Sequence, residues 1–352
     1  MTETIEIFKR TGKVKTWLEY AYDLGLDTED LTNKQLEDKA RKLLSKYNSN
    51  TNMKVAKYTH RDETGSYTTY VEKKEEDQSL EDKLTNYQSL IDSIQLTYNK
   101  LLRNSNTTKT GVVSFADLHY GLVNKEYSKE EAERRLQFMV DEVNKLDYSH
   151  VHLIFDGDFA ESFTGLNKRD TWKNISLIES QLVTSSYELM LKVVSSIFNI
   201  ESVTILAGNH DRYSPDKERS YKDSYLKVVS YFLEQKLNNY NIEVNYSESI
   251  ITKVIDNINY ICTHGDENYY KNYSTFLLEY GTKENFNVLL TGHLHEFKIL
   301  HQSSRFIHVQ LPAVVGNTPF GIASGYSVIP GFIEITNSYG LPKIVFHPIP
   351  GK

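Results

Sequence analysis

From residue 111 onward the chain alternates short apolar runs with longer amphipathic stretches. Apolar runs at 112–115, 151–155, 203–206 and 288–290 read as buried strands. Amphipathic stretches near 129–146, 172–198 and 217–238 read as helices between them. The segments 250–262 and beyond Lys298 read as hairpins instead. Strand–helix alternation with hairpins predicts an α/β (α+β) domain over residues 106–352, with mixed sheets and helices outside.

The first third of the chain is patterned differently. Trp17, Leu18, Ala21, Tyr22, Leu24 and Leu26 cluster around Gly25 within 5–47, and Leu36, Ala40, Leu43 and Leu44 repeat at helical spacing. Two runs, 53–58 and 66–71, flank a polar turn and read as a hairpin. Helices followed by a hairpin predict a small winged-helix-like module over 1–78, with nucleic-acid binding and a purely structural cap both open. Residues 79–105 read as a connecting helix, where Leu80, Leu84, Tyr87, Ile91, Ile94, Tyr98 and Leu101 form a heptad stripe. That stripe packs on its own domain or forms a homodimer contact.

The polar residues that matter stand directly after the strands. The runs lead into Asp117-Leu118-His119, Gly157-Asp158, Gly208-Asn209-His210-Asp211, His264-Gly265 and Gly292-His293-Leu294-His295. Ligands of α/β sheets collect at the carboxyl ends of strands. Taken singly, each cluster reads equally well as turn chemistry, because Asn and Asp favour such positions. Together they hold five of the 11 histidines. Burying so many polar groups without partners is costly, and a metal centre removes the cost.

The ordered set Asp-x-His, Gly-Asp, Gly-Asn-His-Asp, His-Gly and Gly-His-x-His, spread over 111–335, resembles the calcineurin-like metallophosphoesterase superfamily. The resemblance implies a sandwich of two mixed β-sheets flanked by helices. It also implies a hydrolase of phosphate esters that uses two divalent ions, with Mn²⁺ expected and Fe²⁺ or Zn²⁺ open. It places Asp117, His119 and His295 on the first ion, Asn209, His264 and His293 on the second, and Asp158 on both. His210 is expected to donate a proton to the leaving oxygen, and Asp211 to orient a catalytic histidine.

Within the superfamily, Phe159 after the bridging aspartate, the Gly-Asn-His-Asp run and the module ahead of the catalytic domain are similar to Mre11/SbcD-type nucleases, which implies an exonuclease-like enzyme acting on DNA and an ATPase partner. Two alternatives stay open: a phosphodiesterase or phosphatase for a small nucleotide, and a nucleic-acid binding or assembly subunit. Glu161 stands where those nucleases carry a histidine three residues after the bridging aspartate. Lys168, Arg169 and Arg212 are candidates for substrate phosphates, and Phe320 or Tyr326, within the Gly-rich segment 311–326, for base stacking.

Composition adds little to this. Net charge is −7, though residues 1–110 are balanced, so the acidity lies in the catalytic part. No apolar run approaches the roughly 20 residues of a membrane span. The amino terminus lacks the apolar core of a signal peptide, and the single Cys262 forms no internal disulfide. These features lead to an expected cytoplasmic location. Abundant Tyr, Asn and Lys with scarce Pro point to an AT-rich genome, a low-GC bacterium or its phage.

Overall fold

Alternate residues of a strand point to opposite faces, and in this computed structural model that alternation sorts the apolar residues into three layers. The structure describes residues 53–62, 65–74, 85, 87–89, 91, 101–161, 174–212, 224–266, 272–317 and 328–351. The helices expected within 5–47 lie outside this set, as do Lys168, Arg169, Phe320 and Tyr326. The chain divides into two compact units, Met1–Lys83 and Leu84–Lys352. In the first, β1 (Met53–Asp62) and β2 (Gly65–Lys74) pair antiparallel, with Asp62 opposite Gly65 at the turn.

In the second unit, β3 (Thr110–Phe115), β4 (His150–Asp156), β5 (Ile200–Leu206) and β6 (Glu243–Ser247) run parallel. The chain then crosses to a second sheet made of β7 (Ile250–Ile255), β8 (Ile258–Thr263), β9 (Phe286–Thr291), β10 (Lys298–Gln302) and β11 (Phe306–Gln310). It returns as β12 (Gly331–Ser338) and β13 (Leu341–Pro348), which extend the first sheet antiparallel beside β3. The orders are β13-β12-β3-β4-β5-β6 and β10-β11-β9-β8-β7, and both sheets are mixed.

Helices α1 (Lys129–Lys145), α2 (Glu179–Ser196) and α3 (Tyr225–Leu237) connect β3 through β6, while α4 (Tyr273–Tyr280) links β8 to β9. Ser128 caps α1 by accepting from the Glu131 amide, and Glu130 and Glu131 in the first turn complement the helix dipole. Val113, Phe115, Leu153, Phe155, Val203 and Ile205 pack against α1, α2 and α3. Their neighbours Val112, Ile154 and Leu206 turn inward to meet Tyr260, Cys262, Val288 and Leu290 between the sheets. Ile261 and Leu289 face outward again onto Phe276 of α4. A one-residue register slip would exchange these layers, so burial of both faces fixes the register. The result is the expected sandwich of two mixed sheets flanked by helices.

Some boundaries differ from the sequence reading. α2 begins at Glu179 because the residues before it are tied to the 121–123 segment: Val123 donates to the Asn174 carbonyl at 2.7 Å, Ser176 to Gly121 at 2.8 Å, and Ile175 bridges Leu122. Of the heptad stripe, Tyr87 and Ile91 lie in helix and Ile91 packs into the main core, whereas Leu101 is outside helix. β6 was not anticipated: its EVNYS sequence alternates, but over five residues with only Val244 and Tyr246 apolar, both partly buried against the main core. Among the described residues no helix is long and apolar enough to cross a membrane.

Candidate metal centre

Three strands of one sheet and two of the other end at the same place. β3 delivers Asp117 and His119, β4 Asp158, and β5 Asn209 and His210; β8 delivers His264, and β9 His293 and His295. Three groups have ligand atoms within 4.8 Å of one another: Asp117 with His119 and His295, Asp158 with His264 and His293, and His119 with Glu161 and His210. Nε2 of His119 lies 3.3 Å from Nε2 of His295, and Nε2 of His264 lies 3.0 Å from Oδ2 of Asp158. Six of the seven sequence-predicted ligands, all but Asn209, are brought together in these groups.

The backbone is strained to achieve this. Asp117, His119, Asp158, His293 and His295 all have φ between 47° and 69°, the left-handed region that costs a non-glycine residue roughly 1–2 kcal/mol. Hydrogen bonds between the first two turns hold the strain: Asp117 N donates to Gly157 O at 3.1 Å and His119 N to Asp158 O at 3.0 Å. Gly157 (φ 78°) is required, because a Cβ there would lie 2.2 Å from Nδ1 of His264. At Gly208 a Cβ would lie 2.2 Å from Oδ1 of Asp158, so only glycine lets the β5 turn close over that carboxylate.

The imidazoles are oriented through their other nitrogens. Nδ1 of His264 donates to the Asp156 carbonyl at 3.0 Å, and Nδ1 of His119 meets Oε2 of Glu161 at 2.7 Å, which leaves both Nε2 atoms for the centre. Oδ1 of Asn209 is buried with no hydrogen-bond partner. An unpaired amide oxygen, converging imidazole nitrogens and two buried carboxylates are the kinds of donor that suit divalent cations of borderline hardness. The residues present thus fit the implied ions.

Glu161 is the residue that sequence reading undervalued. Its second oxygen lies 3.0 Å from Nδ1 of His210, so one carboxylate holds two imidazoles. Burial opposes its ionisation, but His210 and His119 outweigh burial and hold the carboxyl down at about 2. Burial likewise disfavours the His210 imidazolium, yet Asp158 and Glu161 raise its pKa to about 9; bound cations would oppose that rise. The only sequence signal was an acidic residue at a position where a histidine was expected.

Asp211 does not orient a histidine, contrary to expectation. The turn folds back, and the carboxylate instead accepts from Gly208 N (2.8 Å), Ala160 N (3.2 Å), Phe159 N (3.3 Å) and Tyr225 Oη (3.0 Å). It staples the β4 and β5 turns to α3. Arg212 is buried and ion-paired to Asp266 at 2.6 Å, so it is not an open phosphate contact. Phe159, read as a nuclease feature, is core, with its ring edge-on to Phe155 and Tyr120. His152, His308 and His347 lie outside the centre, bonded to Ser202, to Tyr273 and Thr291, and to Glu334.

No curated protein matches the sequence. Among solved structures the chain is similar to a predicted phosphoesterase of Streptococcus pneumoniae TIGR4 (13% identity over 69% of this chain and 91% of that one, TM-score 0.36). It is also similar to a dimetal phosphatase from Danio rerio (10%, 69% and 100%, 0.37) and to vacuolar protein sorting 29 from Cryptosporidium parvum (12%, 68% and 98%, 0.36). A family model described as calcineurin-like phosphoesterase matches residues 111–297, more than half of the chain and all of the strand ends just described. The chain belongs to the calcineurin-like phosphoesterase family, metal-dependent hydrolases of phosphate esters.

Proposed function

We propose that this chain is a two-metal phosphodiesterase acting on DNA in the manner of an exonuclease, with Mn²⁺ as the working ion. Asp117, His119 and His295 hold one ion, Asn209, His264 and His293 the other, and Asp158 reaches both. When bound, such a pair of ions activates a water for attack on phosphorus and neutralises phosphate charge. Glu161 engages Nδ1 of His210, leaving Nε2 to deliver a proton to the leaving oxygen. The same carboxylate fixes the His119 ring so that its Nε2 faces the centre.

The observation that carries the diester reading is the pairing of Arg212 with Asp266. A monoester brings two negative charges and calls for a further cation, whereas a diester brings one. With the arginine beside the centre already neutralised, ions plus a single imidazole acid suit the diester. DNA as the diester is supported by the hairpin of the first unit, whose strands carry Lys54, Lys57, Arg61, Lys73 and Lys74 against Asp62 and Glu72.

The test is Mn²⁺-dependent cleavage of end-labelled linear DNA, single- and double-stranded, by the wild type and by His264→Ala. Labelled products that disappear in the variant support the reading, and their ladder gives the polarity. Intact DNA, with a small phosphodiester hydrolysed by the wild type alone, would overturn DNA as substrate and leave the diesterase chemistry standing.

A further inference from the structure

A buried arginine stands behind the centre without touching it. Arg135 of α1 is 8% exposed, and its Nη1 donates to the carbonyls of Val314 (2.7 Å) and Val315 (2.8 Å). Its charge is balanced by Glu131, whose Oε1 accepts from Nε at 2.7 Å. The segment it grips faces the other way onto the centre. Val315 N donates to the carbonyl of Asp117 and Val314 N to that of Ala116, both at 3.0 Å, while Ala313 N donates to that of His295 at 3.1 Å. One strap of three residues therefore holds the backbone of two residues placed on the same ion.

A second link runs through Tyr127. The Arg135 guanidinium lies 5.1 Å from the centre of that ring, and the Tyr127 hydroxyl donates to the carbonyl of Leu118, between Asp117 and His119. Asp117, His119 and His295 are all in the strained left-handed region. Strain of that kind persists only where surrounding contacts over-determine it. The strap and Tyr127 supply those contacts, and both converge on Arg135.

We propose that Arg135 is a positioning residue for the ion at Asp117, His119 and His295, acting through the 313–315 strap and Tyr127. The inference rests on the ligand assignment proposed above. The role needs a planar fork: one guanidinium meets a carboxylate and two carbonyls at once, which a single ammonium does not match in geometry.

The experiment compares wild type, Arg135→Lys and Tyr127→Phe by calorimetric titration with Mn²⁺, by electron paramagnetic resonance of the spin-coupled Mn²⁺ pair, and by thermal melting in chelator. Wild type is expected to take up two ions. Arg135→Lys should bind one of them roughly 10–100-fold more weakly, as losses around ligands typically do, and hold the other within about threefold. The coupled signal should give way to that of an isolated ion at one-equivalent loading. Tyr127→Phe, which keeps the ring and the buried ion pair, should weaken the same ion by a smaller factor and covers the case in which Arg135→Lys does not fold. Equal weakening of both ions, or a lower melting temperature with both affinities unchanged, would overturn the positioning role. A folded wild type that binds no pair of ions would instead refute the ligand assignment itself.

Discussion

Oε1 of Glu161 lies 3.0 Å from Nδ1 of His210. The contact ties the residue placed to protonate the leaving group to a carboxylate whose other oxygen serves His119 at 2.7 Å. Glutamine at this position keeps the shape but loses the charge, and its amide nitrogen cannot accept from an imidazole N–H. Glu161→Gln should therefore lower turnover of a chromogenic phosphodiester about 10–100-fold, with KM changed less than about threefold. Because Glu161 helps raise the pKa of His210, the fall in rate at alkaline pH should begin at lower pH in the variant. Steady-state rates across pH check both; a variant within about twofold of wild type at every pH would remove Glu161 from the chemistry.

The left-handed ligands allow a stability test that runs against the ordinary rule. At most positions glycine is less stable than alanine by roughly 0.5–1 kcal/mol. His293 has φ 69°, where alanine carries the Cβ clash and glycine does not. Both His293→Gly and His293→Ala lose the imidazole and should lose Mn²⁺ affinity alike. In chelator, urea unfolding should nevertheless show the glycine variant more stable by about 1 kcal/mol. The reverse order would mean that the turn relaxes without strain.

The strand ends were legible because metal ligands placed directly after apolar runs leave an unusual record: Asp117, Asp158, Asn209, His264 and His293 each follow a buried strand within a few residues. The inter-sheet layer was legible for the same reason, since Val288 and Leu290 alternate with Leu289 across the two faces of β9. What escaped was the direction of side chains after a reversal. Asp158 at φ 49° turns the chain so that Glu161 meets two rings rather than solvent, and the 208–211 turn sends Asp211 back to its own backbone. Neither turn has a periodicity to read. Arg135 was missed as well, because nothing local marks a helix arginine whose partners lie about 180 residues away in sequence.

Asp211 should therefore behave as a structural staple. Its carboxylate accepts from three backbone amides and the Tyr225 hydroxyl, and asparagine would turn an amide N–H₂ toward at least one of those donors. Asp211→Asn is expected to lose about 2–3 kcal/mol of stability in chelator, the scale of an unpaired buried donor plus a lost charge-assisted bond. Chemical denaturation measures this directly. Unchanged stability accompanied by loss of turnover would instead favour the histidine-orienting role read from the sequence.

Acid should weaken the fold through a buried histidine that is not among the ligands. His308 of β11 is fully buried, with Nδ1 2.8 Å from the Tyr273 hydroxyl and Nε2 2.9 Å from that of Thr291. Burial, with a contribution from His301, lowers its pKa to about 4, against roughly 6.5 in an unfolded chain. The unfolded state thus binds the proton more readily. The stabilisation is complete above about pH 6.5 and is lost progressively as pH falls toward 4. Between pH 7 and pH 5 this one residue should cost on the order of 2 kcal/mol. His308→Gln can still bond both hydroxyls but does not titrate, so its unfolding free energy in chelator should fall less over that interval by about the same amount. The comparison cancels every other titrating group, including those at the strand ends. Parallel pH profiles for the two proteins would show that the His308 ring is protonated in the folded state at little cost.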